Sequence, residues 1–198
     1  GANHLVVLAP QTKGAQAFDH QRQPMRMCRW SAALQNVPGI KQVLQFVFPL
    51  LYALELHWQE RFDVIECWQP LPFGLIVLLF KVLYGVPYIV WSHGNDLSRP
   101  QRYPLAKFLL SWVLAGAYLV IANSRNTKGA LLALGTPSEK IRVLNPPVDT
   151  QRFRPDIDPS VITQKYGLEG KRVILTVARL VRVKGIDMVI RTLPKVLE

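Results

Sequence analysis

Short, nearly continuous apolar runs set between stretches of helical periodicity constrain this chain more than any other feature. The runs are HLVVLA (4–9), MRMCR (25–29), DVIEC (63–67), YIVWS (88–92), YLVIA (118–122), RVL (142–144) and VILTVA (173–178). Runs that do not alternate polar with apolar residues are typical of parallel strands covered on both faces. Between them, Ile40, Val43, Leu44, Val47, Leu51, Leu54 and Trp58 fall on one helical face, in a helix that Pro49 is expected to bend. Segments 74–84, 104–115 and 126–134 read as further helices, the last closed by Gly135 and Pro137. Strands alternating with helices predict an α/β fold with a doubly wound, Rossmann-like parallel sheet.

The stretch 145–170 interrupts this rhythm with four prolines among mixed polar residues, and it reads as a linker holding one short helix. A fresh strand and helix follow. The expected organisation is a first Rossmann-like domain over 1–145, a linker over 146–170, and the opening of a second over 171–198. With 49% hydrophobic and 19% charged residues, the chain can bury a sizeable core. Two segments, 71–91 and 105–122, are apolar enough to suggest membrane spans. Lys81 and Gly85-Val86-Pro87 divide the first, and Lys107 and Gly116 the second, so each reads better as helix, turn and buried strand.

Twenty-four Lys and Arg against thirteen Asp and Glu leave a net charge of +11, which favours an anionic partner. The charge is spread without a basic block, which argues against a nucleic-acid arm. Cys28 and Cys67 form neither a disulfide framework nor a zinc motif, so a reducing, cytoplasmic setting is the expectation. The opening GANHLVVLAP has no charged leader of the signal-peptide kind.

In doubly wound sheets, ligands bind beyond the carboxyl ends of the strands. That edge is expected to carry His93-Gly94-Asn95-Asp96 after 88–92, Asn123-Ser124-Arg125 after 118–122, and Asn145-Pro146-Pro147 after 142–144. His93 can hydrogen-bond a substrate hydroxyl or assist a proton, or it can simply close a strand end. Asp96 can orient an acceptor hydroxyl or cap the following helix, and Ser124 reads as a helix N-cap. After 173–178, Arg179 and Lys184 place two cations around a strand-to-helix turn, where helix N–H groups already favour phosphate. Arg99, Arg102 and Lys107 adjoin the apolar helix beyond the HGND loop, where they can meet an anionic lipid surface or serve as ordinary rim charges.

Taken in order, HGNDL, ANSRNTKGALLALGTPSEKIRVLNPPVDTQRFRP and ILTVARLVRVKGIDMVI resemble the GT-B glycosyltransferases of the large retaining family 4, glycosyl transferases group 1. The resemblance covers the chain from His4 onward. It implies transfer of a sugar from a nucleotide-diphosphate sugar to an acceptor hydroxyl with retention, as in cell-envelope polysaccharide synthesis. His93 matches the family's histidine at the donor sugar, and Arg179 and Lys184 match its donor-diphosphate pair. The resemblance implies that residues 1–145 bind the acceptor, with Asn95 and Asp96 near it, and that 171–198 open the nucleotide-sugar domain. It implies no cofactor and no metal, because the two cations neutralise the leaving diphosphate. The implied partners are the nucleotide-sugar donor, a sugar or lipid-linked acceptor and an anionic membrane surface, with no nucleic acid.

Three departures stand out. The family's first strand with its glycine-rich loop and its E-x7-E motif are absent, and Pro147 stands where many relatives have glycine. The chain is therefore expected to be a fragment, inactive by itself; either 173–178 fills the slot of the absent strand between 4–9 and 63–67, or the sheet is gapped or collapsed with 171–198 packed loosely outside it. A non-catalytic nucleotide-binding Rossmann protein is the rival reading, and it lacks the G-x-G-x-x-G turn it would need.

Overall fold

The computed structural model describes residues 5–10, 26–30, 41–98 and 100–197. His4, Ile40 and Arg99 lie outside them. The chain divides into two compact units, Gly1–Pro147 and Val148–Glu198.

In the first unit, β1 (Val6–Pro10) pairs in parallel with β2 (Arg26–Trp30). A second parallel ladder runs in sequence order through β3 (Ile65–Cys67), β4 (Tyr88–Ser92), β5 (Leu119–Ala122) and β6 (Ile141–Val143). Helices α1 (Lys41–Glu60), α2 (Phe73–Tyr84), α3 (Asn95–Ser98), α4 (Pro104–Gly116) and α5 (Arg125–Ala133) alternate with the strands. Right-handed crossovers between successive neighbouring strands put their helices on one face of the sheet. The buried cluster shows that face directly. Cys67, Tyr88, Val90, Val120, Ala122 and Ile141 from the strands meet Val77 of α2, Leu110, Val113 and Leu114 of α4, and Leu131 of α5.

A helix leaves its last four carbonyls without partners inside the helix. In α4 all four find donors. The Tyr88 hydroxyl donates to Val113 O at 2.6 Å, and Ala117 N donates to Leu114 O at 3.3 Å. Lys140 Nζ reaches Ala115 O at 2.7 Å, and Lys81 Nζ reaches Gly116 O at 2.6 Å. The two ammonium groups also sit at the negative end of the helix dipole. Gly74 lets α2 and α4 approach closely, since a methyl group there would come within 2.5 Å of Val113 Cγ1.

The expected stripe on α1 is not the one that packs. Val43, Leu51 and Trp58 are exposed, while Leu56 and His57 are buried. The His57 ring lies among Phe62, Phe80 and Tyr84, and Nδ1 accepts the Phe62 N–H at 3.1 Å. Apolar residues surround much of α1, so periodicity alone does not select the side that α2 covers.

The second unit holds α6 (Ser160–Tyr166) and α7 (Ile186–Leu197). Residues 173–178 form no strand and enter no ladder among the described residues, so they do not pair with 4–9 or 63–67 as expected. Among the described residues the unit contains no strand to pair with, and a lone strand gains nothing over solvated backbone.

Burial pushes the Cys67 thiol up to about 11, against the lowering effect of a backbone hydrogen bond with Gln69, and burial beside Cys67 holds the Tyr88 phenol far above its usual range. Both groups ionise more readily unfolded, so their stabilisation is complete below the unfolded thiol's pKa of ~8.5 and is lost as pH rises through the folded values. Tyr88→Phe should cost about 1–2 kcal/mol, read as a lower urea midpoint at unchanged slope. Its stability should also fall less steeply with alkali than that of the parent chain.

Candidate functional site

Beyond the C-terminal ends of β4 and β5 lies a cleft of about 380 Å³ lined by His93, Asn95, Ser98, Asn123, Ser124 and Thr127, among others. Its geometry begins with Ser92, buried at the last position of β4. The chain then turns at Gly94, whose φ of 93° suits glycine, and enters α3. A side chain at Gly94 would also crowd Thr127, because an added Cβ would stand 3.2 Å from Thr127 Oγ1.

Asp96 fastens this turn. Its two carboxylate oxygens accept the His93 N–H at 3.1 and 3.2 Å, and Oδ1 also accepts from Ser92 Oγ at 3.3 Å. This is the backward-reaching half of a capping box, in which a carboxylate inside the first turn holds the backbone N–H that precedes the helix. Asp96 lies inside α3 and so is not its N-cap residue.

β5 holds the same turn from the other side. Asn123 N donates to Ser92 O at 3.1 Å, and Asn123 Nδ2 donates to His93 O at 3.3 Å. Thr127 Oγ1 donates to Asn123 Oδ1 at 2.7 Å and so fixes the orientation of that amide. Ser124 Oγ accepts the Thr127 N–H at 3.1 Å and caps α5, as its position in the sequence suggests. Both backbone groups of His93 are thereby held, the N–H by Asp96 of α3 and the carbonyl by Asn123 just beyond β5, while its side chain is exposed at the cleft.

Trp68 follows directly on β3, on the other side of His93. Its ring stacks on Trp91 with centroids 4.8 Å apart and planes 13° from parallel, and its centroid is 6.0 Å from the imidazole.

The structure thus brings His93, Asn95 and Asp96 together in the first unit. Arg179 and Lys184 lie in the second unit, exposed on the bend that leads through Gly185 (φ 63°) into α7. That bend is closed by Val181 N to Arg179 O at 2.8 Å and Lys184 N to Val181 O at 2.9 Å. Among the described residues, no group of three or more His, Cys, Asp or Glu is arranged to hold a metal ion. Sequence reasoning placed Asn123 at this edge but did not single out Thr127 or Trp68. The available signals were Thr127 in the capping frame of Ser124 and a tryptophan immediately beyond a buried strand.

Residues 3–152 match the model of Glycosyltransferase Family 4. The GDP-mannose-dependent alpha-(1-6)-phosphatidylinositol monomannoside mannosyltransferase of Mycolicibacterium smegmatis is 28% identical over 198 residues, covering 98% of this chain and 49% of that protein. The Mycobacterium tuberculosis protein of the same description is 25% identical with the same coverage. The chain thus spans about half the length of these curated relatives. The crystal structure of Anabaena HepE in complex with UDP superposes with a TM-score of 0.71 at 15% identity, covering 96% of this chain and 57% of that one. HepE in complex with UDP-glucose gives 0.68 at 16% identity, covering 97% and 58%. The fold is that of a Rossmann-like GT-B protein.

Replacing Gly94 by alanine forces an L-residue to positive φ and presses a methyl group on Thr127. The expected loss is about 1–3 kcal/mol in urea denaturation, with Asn95→Ala, whose side chain is exposed, as a near-neutral control.

Proposed function

The chain belongs to Glycosyltransferase Family 4, and on that premise we propose that it serves transfer of a sugar from a nucleotide-diphosphate sugar to an acceptor hydroxyl, with retention of configuration. The observation that carries this reading is the hydrogen-bonded turn that fixes His93 at the carboxyl edge of the sheet, facing a polar cleft. Catalysis by such a site is positioning plus stabilisation of a leaving group.

In this reading the first unit takes the acceptor and the second takes the donor. His93 contacts the reacting sugar. Asn95 offers its amide to acceptor hydroxyls, and Asp96 acts on the same side through the turn it fastens. Arg179 and Lys184 neutralise the departing diphosphate, Arg as a two-pronged donor and Lys as a mobile point charge, with no metal ion required. The names of the curated relatives make GDP-mannose the first donor to try and a mannosylated phosphatidylinositol the first acceptor.

A lipid-linked acceptor would bring the protein to the cytoplasmic face of a membrane. Among the described residues no helix is long and apolar enough to cross one. A peripheral contact has a candidate surface in α4, whose exposed side carries Leu105, Phe108 and Trp112, with Tyr103, Arg102 and Lys107 close in sequence. Apolar side chains with nearby cations suit the boundary of an anionic bilayer.

Titration with GDP and UDP, and transfer assays with GDP-mannose and phosphatidylinositol monomannoside on a version extended to the full length of the curated relatives, test the reading. Lys184→Ala should weaken nucleotide binding about tenfold. In that extended version, His93→Ala should lower turnover by about 100-fold or more with the fold intact. Near-normal turnover in His93→Ala would remove the site assignment, and an inverted anomeric centre in the product would remove retention. In liposome sedimentation, Phe108→Ser/Trp112→Ser should abolish binding to anionic vesicles, and Lys107→Ala should reduce it. Equal binding to neutral and anionic vesicles sinks the membrane contact.

A further inference from the structure

Trp68 is a large apolar side chain left 59% exposed immediately beside the most constrained turn of the molecule. It is not loose. Register places it level with Trp91, because Cys67 pairs with Val90 and the next residues follow in step. The near-parallel stack of the two indoles holds the Trp68 ring in a fixed plane. Alternation along the strand puts Trp91 and His93 on one face of the sheet, away from the buried side that carries Tyr88, Val90 and Ser92. The indole N–H of Trp91 is buried and has no hydrogen-bond partner among the described residues.

We propose that Trp68, braced by Trp91 and adjoining His93, is a platform for the saturated ring of the acceptor, a hexopyranoside or a cyclitol. The inference rests on the reading of this sheet edge as a glycosyl-acceptor site and adds the residue that would recognise the ring. Such rings carry hydroxyls around the rim and C–H groups on their faces. The negative face of an indole attracts those C–H groups, while rim hydroxyls remain free to bond. Here the imidazole of His93 stands at the rim of the platform, 6.0 Å from the Trp68 centroid. The cleft on its far side supplies the amides of Asn95 and Asn123. One ring can therefore lie on the indole while its edge meets His93. An open-chain polyol offers the same hydroxyls without a flat C–H face, and the platform should discriminate against it.

The test uses this chain with Trp68→Phe and Trp68→Ala variants, whose folding is checked by urea denaturation. The probes are methyl α-D-mannopyranoside, myo-inositol and D-mannitol, followed by saturation-transfer NMR and tryptophan fluorescence, with GDP titrated in parallel. Expected results are saturation transfer to ring C–H protons of the two cyclic probes and little to mannitol. Trp68→Ala should weaken the cyclic probes about tenfold and leave GDP within about twofold, and Trp68→Phe should recover most of the loss. Unchanged pyranoside binding in a folded Trp68→Ala variant overturns the platform, as does a selective loss of GDP affinity, which would assign the indole to a nucleobase. GDP binding without any cyclic-probe binding by the parent chain ends the platform and leaves the donor reading standing. Failure of both ligand classes ends the two together.

Discussion

Everything placed at the functional edge of the first unit depends on how α4 is anchored at its other end. Four carbonyls at a helix terminus must be paired or solvated, and those of α4 recruit the hydroxyl of Tyr88 in β4, the ammonium of Lys81 in α2 and the ammonium of Lys140 ahead of β6. One helix end is thus tied to three neighbouring elements. With its C-terminus fixed there, α4 lies across the sheet on Leu110, Val113 and Leu114, all fully or almost fully buried. The segment between Ser92 and Pro104 then has little freedom in where it begins and ends, and short polar contacts suffice to set the His93 turn within it. Anchoring by one buried hydrogen bond, two lysine contacts at the surface and packing is what permits a loop at this edge to be small.

The two sides of that turn do different work. Asp96 and Asn123 hold the backbone of His93, and neither needs to meet a ligand to be indispensable. Paired amide and carboxylate bonds at 3.1–3.3 Å are individually modest, yet they come from α3 on one side and the end of β5 on the other and share members, so loss of one loosens the rest. With its N–H and carbonyl both bonded, the backbone of His93 has little conformational freedom left to lose.

Much of this was legible in the sequence. Six of the seven apolar runs became strands within a residue or two of their expected limits, because buried parallel strands leave a strong local signature. The helix bounds followed for the same reason, with Gly85 and Pro104 as punctuation. The edge rule found His93, Asn95 and Asp96 together without contact information. What the sequence hid is what depends on neighbours. Residues 173–178 have a strand's composition, but a strand exists only by pairing and nothing among the described residues pairs with them. The buried side of α1 depends on where Phe80 and Tyr84 of α2 fall. Trp68 reads as one more apolar residue until the register of β3 on β4 sets it over Trp91.

The alternation of β4 has a consequence for how such a protein can diverge. Tyr88, Val90 and Ser92 point into the interior, while Ile89, Trp91 and His93 point the other way. Adjacent codons thus answer to separate constraints, one set to the packing beneath the sheet and the other, on the proposed acceptor reading, to the ligand. On that reading, drift at Trp91 would reshape what the edge accepts, whereas Tyr88, Val90 and Ser92 resist change whatever the substrate because the core is built on them.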